Sequence, residues 1–298
     1  MPSYEEILRE IQNIESPFDL VRRKYIQHLS DITERNVIIY YSGWLQKPGI
    51  GIPGICDADA HGFMVASKGL DKERGLDLVL HTPGGELAAT EAIVHYLKKR
   101  FQNDMRVIVP QIAMSAGTMI ACAAHTIVMG KQSSLGPIDP QLNGLPTQGI
   151  IEEFDTAYKE CKEDPQKLMV WQPILSKYPP TLIGNCYKAM EWSKSFVKEW
   201  LLDNMFKDDP HKEQIVKKIV DDLSDHSEHK THGRHLSLRK CQEIGLNVYS
   251  MDEDNELQNA ILSLHHASII TLGSTPSIKI IESKKGSSYI SNISNPNR

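Results

Sequence analysis

Two short segments hold the residues with the clearest chemical potential: His81-Thr82-Pro83-Gly84-Gly85-Glu86 and Met114-Ser115-Ala116-Gly117-Thr118. A glycine pair lets bare backbone N–H groups approach a ligand closely. A serine at the start of a helix lies where unpaired N–H groups and the helix dipole favour developing negative charge. A hydroxyl beside a cluster of backbone donors is what acyl transfer requires. Ser115 is therefore the candidate nucleophile, and the N–H groups of Gly84, Gly85 and Ala116 are the candidate oxyanion donors. Both segments also have a purely structural reading. Two glycines make a tight strand-to-helix turn, and Ser115 with Ala116, Gly117, Ala121, Ala123 and Ala124 suits a helix packed closely on a sheet.

The elements that must hold these groups can be read from the apolar pattern. Leu76–His81 is a strand that runs into the first segment, and Met105–Ile112 is a strand that runs into the second. Glu86–Phe101 reads as a helix with Leu87, Val94 and Leu97 on one face and Lys98, Lys99 and Arg100 near its C-terminus. A small-residue helix over Ser115–Ala124 leads to a strand at Thr126–Met129, and Asn36–Tyr41 is a strand upstream of all of these. Alternating strands and helices predict an α/β fold with a mostly parallel sheet.

Around this centre, residues 1–34 are expected to form a helical extension, with a capping box at Ser3 and Glu6 and a second cap at Ser16 before Pro17. The glycine- and proline-rich stretch 43–62 reads as a loop, with a turn of helix over Phe63–Leu70. A helical arm is expected from about 150 to 223, broken at Lys177-Tyr178-Pro179-Pro180. Arg234–Leu246 suggests a short helix ending at Gly245, followed by a strand over Asn247–Tyr249. Residues 35–270 would make the main domain, and the serine-rich stretch 271–298 a flexible tail. Within that tail, Ile278–Ile281 has the composition to join a sheet edge or a partner.

Three motifs in order, HTPGGELAATEAI, AMSAGTMIACAAHTIVMG and SSLGPIDPQ, resemble the core of the Clp-protease/crotonase superfamily. Within it, the chain resembles the signal-peptide-peptidase-A-like branch and its serine dehydrogenase proteinase (SDH proteinase) family, over roughly residues 35–250. The resemblance implies a ClpP/crotonase-like fold and a serine peptidase with a Ser–Lys or Ser–His–Asp arrangement. It also implies a homo-oligomer built from trimers or larger rings. By the same resemblance, Pro137 and Asp139 border the peptide groove. Taken alone, that segment is a rigid loop whose Asp bonds its own backbone.

The proton acceptor is less legible. The superfamily's histidine would fall in the stretch Ser134–Asp139, which reads SLGPID and holds none. The resembling branch uses a downstream lysine, for which Lys159, Lys162, Lys167 and Lys177 are candidates, and matching the helices points to Lys167 or Lys177. A buried lysine loses enough of its charge preference to act as a base. His81, His125 and Asp139 offer a different pairing. Two rival functions follow from the same residues: a crotonase-type acyl-CoA enzyme, which uses the oxyanion hole on a thioester, and a non-catalytic oligomeric binding module that keeps the serine without a base.

Bulk properties narrow the partners. A net charge of -5 over 298 residues argues against nucleic acid. Five cysteines, widely spaced and odd in number, read as free thiols of a reducing compartment. The first residues lack the basic and apolar regions of a secretory signal, and no apolar run is long enough to span a membrane, so a cytoplasmic location is expected. The substrate expected is a peptide or unfolded protein. His226, His229, His232 and His235 recur at every third position, and Asp57, Asp59 and His61 alternate. Both patterns suit a polar linker or loop better than a metal site, and no metal or cofactor is implied.

Overall fold

The central sheet is made of short apolar strands that bury both faces, as parallel strands under helical layers must. In a computed structural model, which describes residues 17–49, 51, 54–142, 144–225 and 233–293, the first half of the chain runs α1 (Pro17–Thr33), β1 (Asn36–Ser42), α2 (Asp57–Ser67), β2 (Leu76–His81), α3 (Leu87–Arg100), β3 (Met105–Val109), β4 (Ile112–Ala113), α4 (Ala116–Cys122), β5 (Thr126–Met129) and β6 (Ser134–Leu135). A small hairpin, β7 (Gln141–Leu142) and β8 (Leu145–Pro146), precedes four helices: α5 (Thr147–Glu163), α6 (Leu168–Leu175), α7 (Leu182–Trp200) and α8 (Lys212–Ser224). The chain closes with β9 (Leu236–Ser237), α9 (Leu238–Ile244), β10 (Val248–Ser250), α10 (Asn255–Ser274), β11 (Ser277–Ser283) and β12 (Ser288–Asn292).

The main sheet has the order β10-β5-β3-β2-β1-β11-β12. The pairs from β10 to β1 are parallel, and β11 and β12 add antiparallel at the far edge. Alternation along β1 divides the core: Ile38 and Tyr40 pack with α2, α3 and α4, while Val37, Ile39 and Tyr41 face α1 and α10. A second, three-stranded sheet, β4-β6-β9, sits beside the main one.

Several expectations need correction. The strand expected over Met105–Ile112 breaks after Val109, because Pro110 has no N–H to continue the ladder; the chain resumes as β4 in the small sheet. The stretch 43–62 is not all loop, since α2 starts at Asp57. Asp59 accepts the Cys56 N–H at 3.0 Å, and two aspartates in the first turn complement the helix dipole. The flexible tail expected from 271 does not hold through 293. Residues 271–274 finish α10, and β11 is a buried strand along β1. Its Glu282 receives Arg22 Nε and Arg23 Nε, each at 2.6 Å, so its charge is paired where it is buried. The caps expected at Ser3 and Ser16 lie outside the described residues, as does the stretch 294–298.

The arm packs partly by itself. Ile150, Ile151, Leu182 and Cys186 form a small cluster separate from the two main cores, whereas Phe196, Val197 and Trp200 at the far end of α7 join the core. Ser193 anchors α7 to the body, donating its buried hydroxyl to the Ile138 carbonyl at 2.8 Å. Ser193→Ala leaves that carbonyl without its partner. We expect a loss of about 1 kcal/mol, measured as a lower urea midpoint with unchanged slope.

Candidate active site

Three backbone contacts bring the two glycine and serine segments side by side. Thr82 N–H donates to Ile112 O at 3.1 Å, Met114 N–H donates to Thr82 O at 3.0 Å, and Thr82 bridges Ala113. Thr118 then ties in the third motif. Its hydroxyl donates to Ala113 O at 3.0 Å and accepts the Gly136 N–H at 2.9 Å. The motifs are adjacent because glycine or threonine stands wherever the chains meet. A methyl at Gly117 would come 2.5 Å from Thr82, and one at Gly136 would come 2.6 Å from Met114.

Ser115 caps α4 with φ 51° and ψ -113°. That left-handed conformation is costly for a residue with a Cβ and is kept only where the surroundings enforce it. It leaves Ser115 partly exposed between the buried Ala113 and Ala116. Gly84 has φ +109°, and a methyl there would approach Ser115 Cβ to 2.8 Å and Ala116 N to 3.3 Å.

The three candidate donors are not equivalent. Gly84 N–H donates to Thr82 Oγ1 at 3.2 Å. Among the described residues, no acceptor takes the N–H of Gly85 or of Ala116. The Gly85 donor is aimed by its neighbour in space. Ile55 N–H donates to Gly84 O at 2.7 Å, and Glu86 N–H donates to Ile55 O at 2.9 Å. In a trans peptide the N–H points opposite to the C=O. Holding the Gly84 carbonyl toward Ile55 therefore turns the Gly85 N–H away from it.

Ser115 and Gly85 open on a cavity of about 560 Å³. Leu87, Met119, Leu142, Ala189 and Trp192 give it an apolar wall, and Glu86 is the ionisable residue among its described lining. Larger hollows of about 750 and 760 Å³ lie between α7 and α8 and beside Asp104; Ser115 lines neither.

The expected bases lie elsewhere. Lys167 pairs with Glu160 at 3.5 Å, and Lys177 is exposed in the turn between α6 and α7. Lys159 and Lys162 are exposed on α5. None of the four lines the cavity. His81, His125 and Asp139 are not brought together. The His81 ring lies among Tyr41, Trp44 and His265, on the sheet face covered by α1 and α10. His125 is at the opposite end of α4 from Ser115, 3.8 Å from Asp104. Burial, and then the nearby Arg35, lower its pKa. Pro137 and Asp139 lie in the buried run after β6, whose Ile138 N–H donates to Leu223 O at 2.9 Å. Of the histidine series, His226, His229 and His232 are outside the described residues; the His235 Nδ1 is 2.8 Å from Ser134 Oγ.

The sequence matches a known family, the ClpP-like SDH-type serine proteinases, over residues 17–269. The chain belongs to that family. The ClpP-like fold expected from the motifs accordingly holds, with its large, mostly parallel sheet. Two proteins of Methanocaldococcus jannaschii are similar in sequence. The uncharacterized protein MJ0137 is 30% identical over 235 residues, which is 77% of this chain and 73% of that one. The uncharacterized protein MJ1495 is 31% identical over 202 residues, 67% of this chain and 61% of that one. No solved structure matches the sequence significantly. No helix among the described residues is long and apolar enough to cross a membrane.

Sequence reasoning missed two participants. Ile55 is hidden in a glycine- and proline-rich stretch; the one available signal was Gly54, where a methyl would meet Gly84 O at 2.1 Å. Trp192 lies in the stretch read only as part of a helical arm, and nothing in its spacing links it to Ser115.

Proposed function

We propose that this chain is a serine endopeptidase with Ser115 as nucleophile. The observation that carries the reading is a serine in a strained conformation, opening on a cavity beside two backbone N–H groups that no described residue uses. Ser115 Oγ attacks the scissile carbonyl, and the N–H groups of Gly85 and Ala116 receive the oxyanion. Gly84, proposed from the sequence as a third donor, contributes its lack of a side chain instead. A lysine of the arm, Lys177 or Lys167, takes the Ser115 proton and returns it to the leaving amine. Water then hydrolyses the acyl-enzyme. Because neither lysine lines the cavity, this step needs the arm to move or to be repositioned in an assembly. The separate packing of the arm supports such movement.

The substrate is an extended peptide or unfolded chain that places an apolar side chain against Leu87, Met119 and Trp192, while Pro137 and Asp139, buried behind the cavity lining, do not touch it. The working form is a homo-oligomer built from trimers or a larger ring. Exposed Leu168, Met169 and Val170 on α6 support self-association. The free thiols of the described structure suit a cytoplasmic setting.

A second reading, a non-catalytic binding module, draws on the lack of a lysine or histidine in the described cavity lining. Labelling with a fluorophosphonate probe separates the two. The peptidase reading expects covalent labelling of the wild type, none of Ser115→Ala, and a sharp fall in either Lys167→Ala or Lys177→Ala. A folded wild-type oligomer that does not label supports the binding module instead.

A further inference from the structure

On the α2 side of the sheet, away from the cavity lining, lies a buried ion pair that the reaction does not use directly. Lys279 of β11 and Asp59 of α2 are each 1% exposed. Lys279 Nζ lies 2.8 Å from both carboxylate oxygens. Asp59 Oδ2 also accepts the Tyr40 hydroxyl at 2.9 Å and the Cys56 N–H at 3.0 Å. Lys279 makes one further strong contact, donating to the Gly54 carbonyl at 2.8 Å, and its Nζ is 3.6 Å from Cys56 Sγ. The pair thus holds the residues on both sides of Ile55: Gly54 through its carbonyl, and Cys56 through its N–H.

Ile55 is the residue that grips the oxyanion loop through Gly84 O and Glu86 N. The fit leaves no slack. A methyl at Gly54 would come 2.1 Å from Gly84 O, and one at Gly85 would come 2.2 Å from Ile55 N. Removing one partner of a buried ion pair leaves an uncompensated charge and disturbs whatever the pair held. Here that is the strand segment whose N–H orients the Gly84–Gly85 peptide.

We infer that Lys279 and Asp59 are positioning residues for the oxyanion hole, acting through Ile55 on the Gly84–Gly85 peptide. The inference rests on the serine-peptidase reading of Ser115. It gives β11, near the end of the chain, a role in the reaction: the strand delivers a cation to the back of the loop whose front receives the oxyanion.

The test compares wild type, Lys279→Met, Lys279→Arg and Ser115→Ala, full length and in their native assembly. Readouts are kcat per titrated site, KM for a peptide substrate, and affinity for a peptide boronate, whose tetrahedral adduct uses the oxyanion hole. A loosened donor should lower kcat about tenfold or more in Lys279→Met. KM should stay within about twofold, and boronate affinity should weaken in proportion to kcat. Lys279→Arg, which can still reach Asp59 and Gly54, should recover most of the loss. A merely structural role would lower melting temperature and leave kcat per titrated site and boronate affinity unchanged, and that result overturns the inference.

Should Lys279→Met fail to fold, Ile55→Pro carries the test. It deletes the Ile55 N–H that holds Gly84 O and leaves the ion pair in place, and wild-type kcat in that variant overturns the inference equally. Turnover that survives Ser115→Ala defeats the peptidase reading itself. Turnover that needs Ser115 but is indifferent to both Lys279 and Ile55 defeats only the positioning role.

Discussion

Gly85→Ala should lower kcat about a hundredfold or more while KM changes little. The side chain added is one methyl group, yet it has nowhere to go. It would come 2.2 Å from both the nitrogen and the oxygen of Ile55, and both are backbone atoms held by their own hydrogen bonds to the loop. Either the Gly54–Cys56 segment retreats or the Gly84–Gly85 peptide rotates. In both cases the Gly85 N–H leaves its position. Loss of one oxyanion donor costs about 3 kcal/mol of transition-state stabilisation. That loss appears in kcat because the donor is used only when charge develops on the carbonyl oxygen. Steady-state kinetics on protein checked by circular dichroism and light scattering would decide the matter. A folded Gly85→Ala assembly with wild-type kcat would remove Gly85 from the mechanism.

Acid should destabilise the protein well before its carboxylates titrate, and His81 should be a main cause. The ring is fully buried among Tyr41, Trp44 and His265, and neither nitrogen makes a well-formed hydrogen bond within the described structure. Burial drives its pKa down to about 4, against a smaller upward pull from the Ile112 backbone. In the unfolded chain a histidine titrates near 6.5. As pH falls, the unfolded state therefore takes up the proton first. The stabilisation is fully present above about pH 6.5 and drains away between there and pH 4. The His81 share is about 3 kcal/mol at the acid end.

His265 is depressed in the same direction, by burial and then by His81 and His266, so the whole cluster favours neutral rings. Urea titrations of wild type and His81→Phe at pH 7 and pH 4 would isolate the effect. The variant should lose about 3 kcal/mol less than wild type over that interval. Equal losses in the two proteins would show that His81 does not titrate with unfolding.

The parts of the site that were legible early are those whose signals are local. The strand ending at His81, helix starts after Glu86 and Ser115, and small residues at 84, 85 and 117 are written in runs of a few residues. Apolar periodicity and glycine placement are enough to locate Ser115 and its candidate donors at the ends of neighbouring parallel strands. Pro110 shows how a local signal is overlooked: the apolar pattern continues past it, and only its missing N–H ends the ladder.

Contacts between distant segments had no such signal. Whether Gly84 or Gly85 presents its N–H depends on which way one peptide plane faces. That plane is held by Ile55, some thirty residues upstream, whose neighbour Gly54 accepts a hydrogen bond from Lys279, far downstream. A lysine in a serine-rich stretch looks like a solvated charge until its strand is laid along β1 and its partner Asp59 is carried up on α2. The arm lysines are the opposite case: their spacing from Ser115 suggested a base, but helix packing leaves them outside the cavity wall. Residue order therefore carried the placement of Ser115, the proposed nucleophile, and of the sheet beneath it, because both follow from short-range sterics and burial. Folding in three dimensions set which donor is aimed, what aims it and where the lysines lie, because those depend on approaches of a few ångströms between segments that no periodicity connects.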